Sequence, residues 1–433
     1  MTTSTPSVID SGANAADSAN ERDERDPLAG YVSRFIPSED VVSYLDGNSL
    51  GRPLKATADR IADFVQHAWA DRLIRSWDEG WFEQPLELGD RIGRLALGAA
   101  AGQTVVADST TVMLYKLIRA AVAARPDRTE ILIEDDNFPT DRFVVEGIAR
   151  ERGLTVRWIA VDKTRGATAE QVREAVSEST AVLVLSNVSY RSGYLADVPA
   201  ITAIAHEAGA LVLWDLCHSV GAIPMHLDEW GVDLAVGCTY KYLNGGPGAP
   251  AFGYVAGSLH DTLEQPIWGW MGASDVFGMA DGFTPSSSMR RFISGTPPIM
   301  GMLPMMDMLD LIEEVGIDAI RAKSLDLTDY ALALVDELLV PLGVTVGTPR
   351  DHAERGSHVT ISHPVFKRVV DVLWTQGTIP DYRNPASIRI GLSPLSTSFT
   401  ELARGVVAIR DALVVELAAV SHEAIPAESA PEK

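Results

Sequence analysis

Short apolar runs alternate with helical patterns through the middle of the chain, and this alternation constrains the fold more than any other feature. Glu130-Ile-Leu-Ile-Glu134, Ala181-Val-Leu-Val-Leu185 and Ala210-Leu-Val-Leu-Trp214 are each of strand length. Helical spacing separates them near 141–152, 168–178 and 198–208. Strands apolar on both faces need cover on both, so these βαβ units predict a mostly parallel sheet with helices above and below, the α/β class. In such sheets ligands collect beyond the carboxyl ends of the strands. The polar residues after these runs are therefore candidates as a set: Asp136-Asn-Phe-Pro-Thr-Asp141, Ser186-Asn-Val-Ser-Tyr190 and Asp215-Leu-Cys-His218.

The flanks suggest a second, smaller α/β unit. Residues 53–75 and 84–101 have helical apolar spacing. Pro297-Pro298 breaks the chain before a helix-rich stretch at 300–340. A strand at 357–362, a helix at 364–377, a strand at 387–392 and a last helix at 399–418 follow. The 433 residues suffice for two domains. The expected division is a disordered tail over 1–26, an N-terminal segment of the small domain over 27–75, a large domain over 76–298, the rest of the small domain over 299–421, and a tail over 422–433. The tails are expected to be disordered because they carry almost no large apolar residues.

The net charge of −23 argues against nucleic acid or an anionic membrane as partner. No apolar run reaches the roughly 18 residues of a membrane span, and no basic region precedes an apolar one as in a signal peptide. Cys217 and Cys238 are too few for a disulfide framework, which fits a reducing cytoplasm. His206-Glu207 lacks the second histidine of a zinc helix, so no metal is expected.

The chemistry concentrates around Lys241. It lies in Val236-Gly-Cys-Thr-Tyr-Lys-Tyr-Leu-Asn-Gly-Gly-Pro-Gly248, after a short apolar stretch and before a glycine-rich turn. Asp215 ends the upstream strand, 26 residues earlier. A lysine that forms a Schiff base, with a carboxylate that keeps a pyridine nitrogen protonated, is how a protein holds pyridoxal 5'-phosphate. Ser109-Thr-Thr-Val-Met-Leu-Tyr115 reads as a helix N-terminus able to take a phosphate, or as a plain hydroxyl cap. Phe138 can stack on a flat ring and Asp141 can bond near it; a βα turn with a capping Asp is the alternative. His218 is either a ring neighbour or a buried, satisfied imidazole, and Cys217 reads as a packing residue. Arg383 and Arg389 flank a predicted strand; Arg389, set between Ile388 and Ile390, is the better candidate to grip a substrate carboxylate.

Together these motifs resemble the kynureninases, within the fold-type-I, class V aminotransferase-like pyridoxal-phosphate enzymes. The likeness runs from about Tyr44 to Leu413. It rests on Leu45-Asp-Gly-Asn-Ser-Leu-Gly51, Phe138-Pro-Thr-Asp141, Trp214-Asp-Leu-Cys-His218, Tyr240-Lys-Tyr-Leu-Asn244, Gly269-Trp270 and Ile388-Arg389. The resemblance implies a large domain with a mostly parallel seven-stranded sheet and a smaller α/β domain. It implies that Lys241 carries the cofactor, Asp215 meets its ring nitrogen and Phe138 stacks on the ring. Thr110, Thr111, Ser186 and Tyr240 would hold the phosphate, with Asp141 and His218 near the ring, and Tyr240 would join Lys241 and Asp215 in catalysis. Asn48 and Ser49 would line the substrate side with Arg389. Trp270 and Thr296 would reach a neighbouring subunit's site, making a homodimer.

Three positions depart from that family's pattern. A histidine usual shortly after the Gly-Trp pair is absent from Gly269-Trp-Met-Gly-Ala-Ser274, Thr296 stands for an asparagine, and Ala68-Trp-Ala-Asp-Arg72 lacks a histidine. In the family these read an aryl ketone and its amine, and a site built on such bonds rarely keeps its substrate without them. The leading expectation is therefore cleavage of another Cβ-substituted amino acid, by β-elimination from a cysteine S-conjugate in specialised metabolism. Hydrolysis of kynurenine or 3-hydroxykynurenine to an anthranilate and alanine is the alternative. Decarboxylation, oxidative deamination and aminotransfer follow.

Overall fold

The computed structural model describes residues 8–423. Twelve strands run in chain order as β1 (Ser43–Leu45), β2 (Thr104–Ala107), β3 (Glu130–Glu134), β4 (Thr155–Ile159), β5 (Thr180–Ser186), β6 (Leu211–Asp215), β7 (Leu234–Cys238), β8 (Ala251–Val255), β9 (Thr345–Val346), β10 (His358–Ser362), β11 (Thr378–Arg383) and β12 (Ser387–Gly391). Seven of them form one sheet in the order β2-β8-β7-β6-β5-β3-β4. The pairs from β4 through β3, β5 and β6 to β7 are parallel, and β8 is antiparallel to both its neighbours. β2 therefore runs the same way as the parallel block, and only β8 opposes it. The carboxyl ends of β2, β3, β5, β6 and β7 share one rim.

Helices cover both faces, as the uninterrupted apolar strands require. Ile131, Ile133, Val182, Val184, Leu211 and Leu213 pack into one core layer. Leu132, Leu183, Leu185, Val212 and Trp214 alternate into the other. The predicted strands and intervening helices are found where the periodicity puts them. The edge strand β4 escaped notice because Arg157 and Trp158 face outward and interrupt its apolar run.

A second sheet, β1-β11-β12-β10-β9, is built from both ends of the chain. β1 joins parallel to β11, so residues 43–45 are carried to the C-terminal part of the molecule. The helices Ile317–Leu338, Phe366–Thr375 and Phe399–Glu423 share its core.

The N-terminal tail expected over 1–26 is a helix over Val8–Arg25. It needs no large apolar residues because alanine does the packing: Ala15 and Ala19 are buried against the last helix. Tyr330 donates to Ala15 O at 2.8 Å. Asp23 accepts from Phe399 N and Thr400 N, capping that helix, and Asp26 pairs with buried Lys323 at 2.7 Å. Small residues let two helix backbones approach closely, a gain that average hydrophobicity does not register. The expected tail over 422–433 lies outside the described residues apart from 422 and 423, which end the last helix. No helix among the described residues is long and apolar enough to cross a membrane.

Candidate active site

The shared rim of the large sheet collects the polar segments that follow its strands. After β7, Thr239 to Asn244 fold into a tight turn. Gly245 N bonds Thr239 O at 2.8 Å, and Asn244 N bonds Lys241 O at 3.0 Å with Asn244 in the left-handed region at φ 50°. The Leu45–Gly51 segment closes on this turn: Gly51 N donates to Tyr240 O at 2.9 Å, and Asn244 Nδ2 to Arg52 O at 2.7 Å. A Cβ at Gly51 would lie 2.4 Å from Lys241 O, so only glycine permits the approach.

Lys241 is thereby buried, with 9% of its surface exposed. Its Nζ donates to His218 Nε2 at 3.2 Å. Burial pushes the His218 imidazole well below its ordinary pKa, and the charges of Lys241 and Arg389 press the same way. His218 is therefore neutral and able to accept. Asp215 at the end of β6 accepts from Cys217 N at 2.8 Å, which fixes one carboxylate oxygen. Asp141 is buried beside it on the first turn of the helix Pro139–Arg152. Burial raises the Asp141 pKa well above the carboxylate range, the charges of Asp215 and Glu134 add to this, and Lys241 opposes it. Both effects favour the neutral, proton-bearing form of Asp141.

Phe138 enters the rim after β3, edge-on to Tyr190 with ring centroids 5.4 Å apart. Arg191 ties the loops after β3 and β5 together through Asp136 at 3.0 Å. Ser186 donates its hydroxyl proton to Asn137 Oδ1 at 2.9 Å. At the other end of the rim, Ser109 caps the helix Thr110–Ala123 through Val112 N. The first N–H groups of such a helix have no partners within it, and the Thr110 and Thr111 side chains stand beside them. Tyr240 lies with its ring 5.9 Å from Lys241 Nζ. Burial, then the neighbouring cysteines, drive its phenol upward, so it too is a proton-bearing donor.

The small sheet supplies the opposing wall. Arg389 on β12 is 1% exposed. Its Nε and Nη2 both sit on the Asp381 carboxylate, Nη1 donates to Tyr190 O at 2.6 Å, and Nη2 donates to Ser49 Oγ at 3.0 Å. Arg383 contacts the same carboxylate at 2.8 Å from β11. Asn48 is fully buried with neither amide atom bonded, and Asp46 Oδ1 is also without a partner. Burial and then Asp381 raise the Asp46 carboxyl to about 6. His358 on β10 is another fully buried group with both ring nitrogens unbonded. Sequence reading missed His358, although its signal was present in the two predicted strands that pair here.

Trp270 and Thr296 stand outside this cluster within one chain. Trp270 is 46% exposed and packs edge-on to Phe277, and Thr296 is exposed just before Pro297. Cys217 and Cys238 are both free and buried.

These residues fit pyridoxal 5'-phosphate. Asp141 Oδ2 and Asn137 Nδ2 are buried polar atoms without partners on the rim beside Lys241, and each such atom costs about 1–3 kcal/mol unless something meets it. A ring with polar substituents, an aldehyde for Lys241 and an anion for the helix N-terminus match that donor set.

Comparison with known proteins agrees. The aminotransferase class-V family model matches residues 92–372. The chain is 42% identical over 388 residues to the kynureninase of Pseudomonas fluorescens, covering 88% of this chain and 91% of that protein. It is 39% identical to that of Burkholderia pseudomallei, covering 91% and 94%. Among solved structures, a cysteine desulfurase from Escherichia coli superposes with a TM-score of 0.76 at 18% identity, covering 90% of this chain and 98% of that one, a likeness of fold.

Proposed function

Because the chain belongs to the aminotransferase class-V family, as a kynureninase-like enzyme dependent on pyridoxal 5'-phosphate, we propose that it hydrolyses an amino acid carrying an aryl ketone at Cβ, kynurenine or 3-hydroxykynurenine, to an anthranilate and alanine. The 42% identity with a kynureninase over nearly the whole chain carries this reading. It moves hydrolysis ahead of the β-elimination that the three altered positions suggested.

In this reading Lys241 would hold the cofactor, Asp215 its ring nitrogen, Phe138 its face, and the N-terminus of Thr110–Ala123 its phosphate. When bound, the cofactor supplies an electron sink for density released at the substrate Cα. The protein's part is to hold and move protons. Lys241 Nζ takes the proton from Cα, and neutral His218, 3.2 Å away, steadies that amine without adding charge. Asp141, whose carboxyl burial raises, and Tyr240, whose phenol burial raises, are placed to act as donors. Arg389 receives the substrate carboxylate, and Asn48 and Ser49 line the same wall. Trp270 and Thr296, exposed in one chain, would complete the site of a second subunit, making a homodimer with interfacial sites. The two free cysteines accord with a reducing cytoplasm.

One observation favours the second reading, elimination from a cysteine S-conjugate. Trp69, from one altered segment, and Pro297, next to the altered Thr296, line a single groove of about 310 Å³ with Phe64, Trp77, Trp81 and Met300. In the homodimer proposed above this apolar wall would belong with Thr296 to the neighbouring subunit's site, where it suits a bulky substituent that needs no polar reader. Incubation of the purified holoenzyme with kynurenine and 3-hydroxykynurenine, followed by fluorescence of the aromatic amine, tests the first reading. Turnover supports it, and its absence at saturating substrate with cofactor bound refutes it.

A further inference from the structure

The small sheet places His358 where a carboxylate needs a second donor. β10 and β12 pair antiparallel, with Thr360 opposite Arg389 and His358 opposite Gly391. Directly opposed residues share a face and alternate residues keep it, so His358 and Arg389 are diagonal neighbours on one side of the sheet. Gly391 contributes no side chain between them. Asn48 fills that space, since a Cβ on Gly391 would lie 1.9 Å from Asn48 Oδ1. The result is a row of three polar side chains, His358, Asn48 and Arg389, supplied by two strands and the loop after β1.

The same face looks toward Lys241. The His358 ring centroid lies 5.8 Å from that of His218, which bonds Lys241. The ring is fully buried, and a niche exists for it: Gly193, at φ +75°, would bring a Cβ within 3.2 Å of His358 Nε2. Neither ring nitrogen makes a well-formed hydrogen bond, the Arg191 backbone interacting with the ring only weakly. The groups that face the ring are Arg389, Lys241, Arg383 and neutral His218. Burial first, and then these three cations, favour the neutral imidazole, which has one N–H to give in a place that attracts an anion.

Arg389 alone does not finish an anion site here. Four of its five N–H groups are directed at Asp381, Tyr190 and Ser49, which leaves one, on Nη1. A two-point grip on a carboxylate calls for two donors aimed the same way. We propose that His358 is a substrate-binding residue whose N–H supplies a second hydrogen bond to the α-carboxylate held by Arg389, with the Asn48 amide beside it. This rests on the reading above that the site takes an α-amino acid.

The test is His358→Phe, which keeps the ring's bulk, and His358→Gln, which keeps a donor. Binding of L-alanine and of ethylamine, its counterpart without a carboxylate, is titrated on each holoenzyme through the cofactor's absorbance, alongside KM and kcat. The expected result is a rise of about tenfold in the L-alanine dissociation constant and in KM for His358→Phe, as for the loss of a hydrogen bond to a charged group. Ethylamine binding stays unchanged, and His358→Gln recovers most of the loss. Equal weakening of L-alanine and ethylamine, or no weakening of either, overturns the proposal while leaving the amino-acid reading intact. Failure of the unaltered enzyme to bind L-alanine removes that reading and the proposal with it. If His358→Phe does not retain cofactor, His358→Gln and His358→Ala decide by the same ratio: a loss with Ala that Gln recovers supports the proposal, and equal affinities overturn it.

Discussion

The two walls around Lys241 are built on different principles. The rim of the large sheet is assembled from short contiguous segments, each fixed by the strand before it and bonded to one another, Asp215 to Cys217 N, Ser186 to Asn137 and Asn244 to Arg52, with Asp141 Oδ2 and Asn137 Nδ2 left open. The wall on the small sheet draws on β1's loop, β10, β11 and β12, and leaves Asn48, Asp46 and His358 with unbonded polar atoms. The open atoms of the rim lie beside Lys241, where one cofactor would meet them whatever the substrate. The bonds left open on the small-sheet wall are completed by what it binds, and there specificity is set.

The largest effect expected from breaking this contrast is on the rim. Lys241→Ala removes the cofactor's attachment, so the absorbance near 420 nm vanishes and turnover falls about a thousandfold or more. An unchanged absorbance would sink the assignment of Lys241. On the opposite wall, Arg389→Met should raise KM about a hundredfold with the absorbance retained, because it removes a charge-assisted grip and leaves Asp381 to Arg383 alone. If kcat and not KM carries the loss, the wall does more than bind.

A smaller effect tests how the walls are joined. Gly51→Ala forces a Cβ against the Lys241 carbonyl and should cost about 1–3 kcal/mol, read as a lower Tm and faster cofactor release. Wild-type retention would show that the Leu45–Gly51 segment is free to move.

The smallest concerns pH. Glu134 at the end of β3 is buried, and burial raises its carboxyl to about 7, against about 4.3 in an unfolded chain. Between those values the folded state holds the proton and the unfolded state does not. This contribution to stability is complete below about 4.3 and is lost as pH rises toward 7. Glu134→Gln should flatten that decline, seen as a smaller drop in Tm between pH 5 and roughly pH 8. An identical pH profile in the variant would place the ionisation elsewhere.

What the sequence made legible follows the same divide. Lys241, Asp215, Phe138 and Asp141 each follow a strand that periodicity reveals, so position along the chain nearly gives position in space. His358 becomes visible only when β10 is laid beside β12 in register, because Thr360 must meet Arg389 before His358 meets Gly391. Ser186 was read for its hydroxyl, yet which neighbour takes its proton depends on Asn137, brought beside it by the pairing of β3 with β5. The helix Val8–Arg25 was misread because its contribution lies in closeness of approach through Ala15 and Ala19 and not in apolar bulk. Trp270 and Thr296 are legible as motif residues, and their exposure in one chain leaves their use to an assembly.

The most direct test of the hydrolytic reading is the fate of the three-carbon fragment. The purified holoenzyme is given an equimolar mixture of kynurenine, 3-hydroxykynurenine and a cysteine S-conjugate, and alanine and pyruvate are quantified together. The account predicts alanine in step with the aromatic amine and little pyruvate. Pyruvate with ammonia from the S-conjugate, and no alanine, would contradict it.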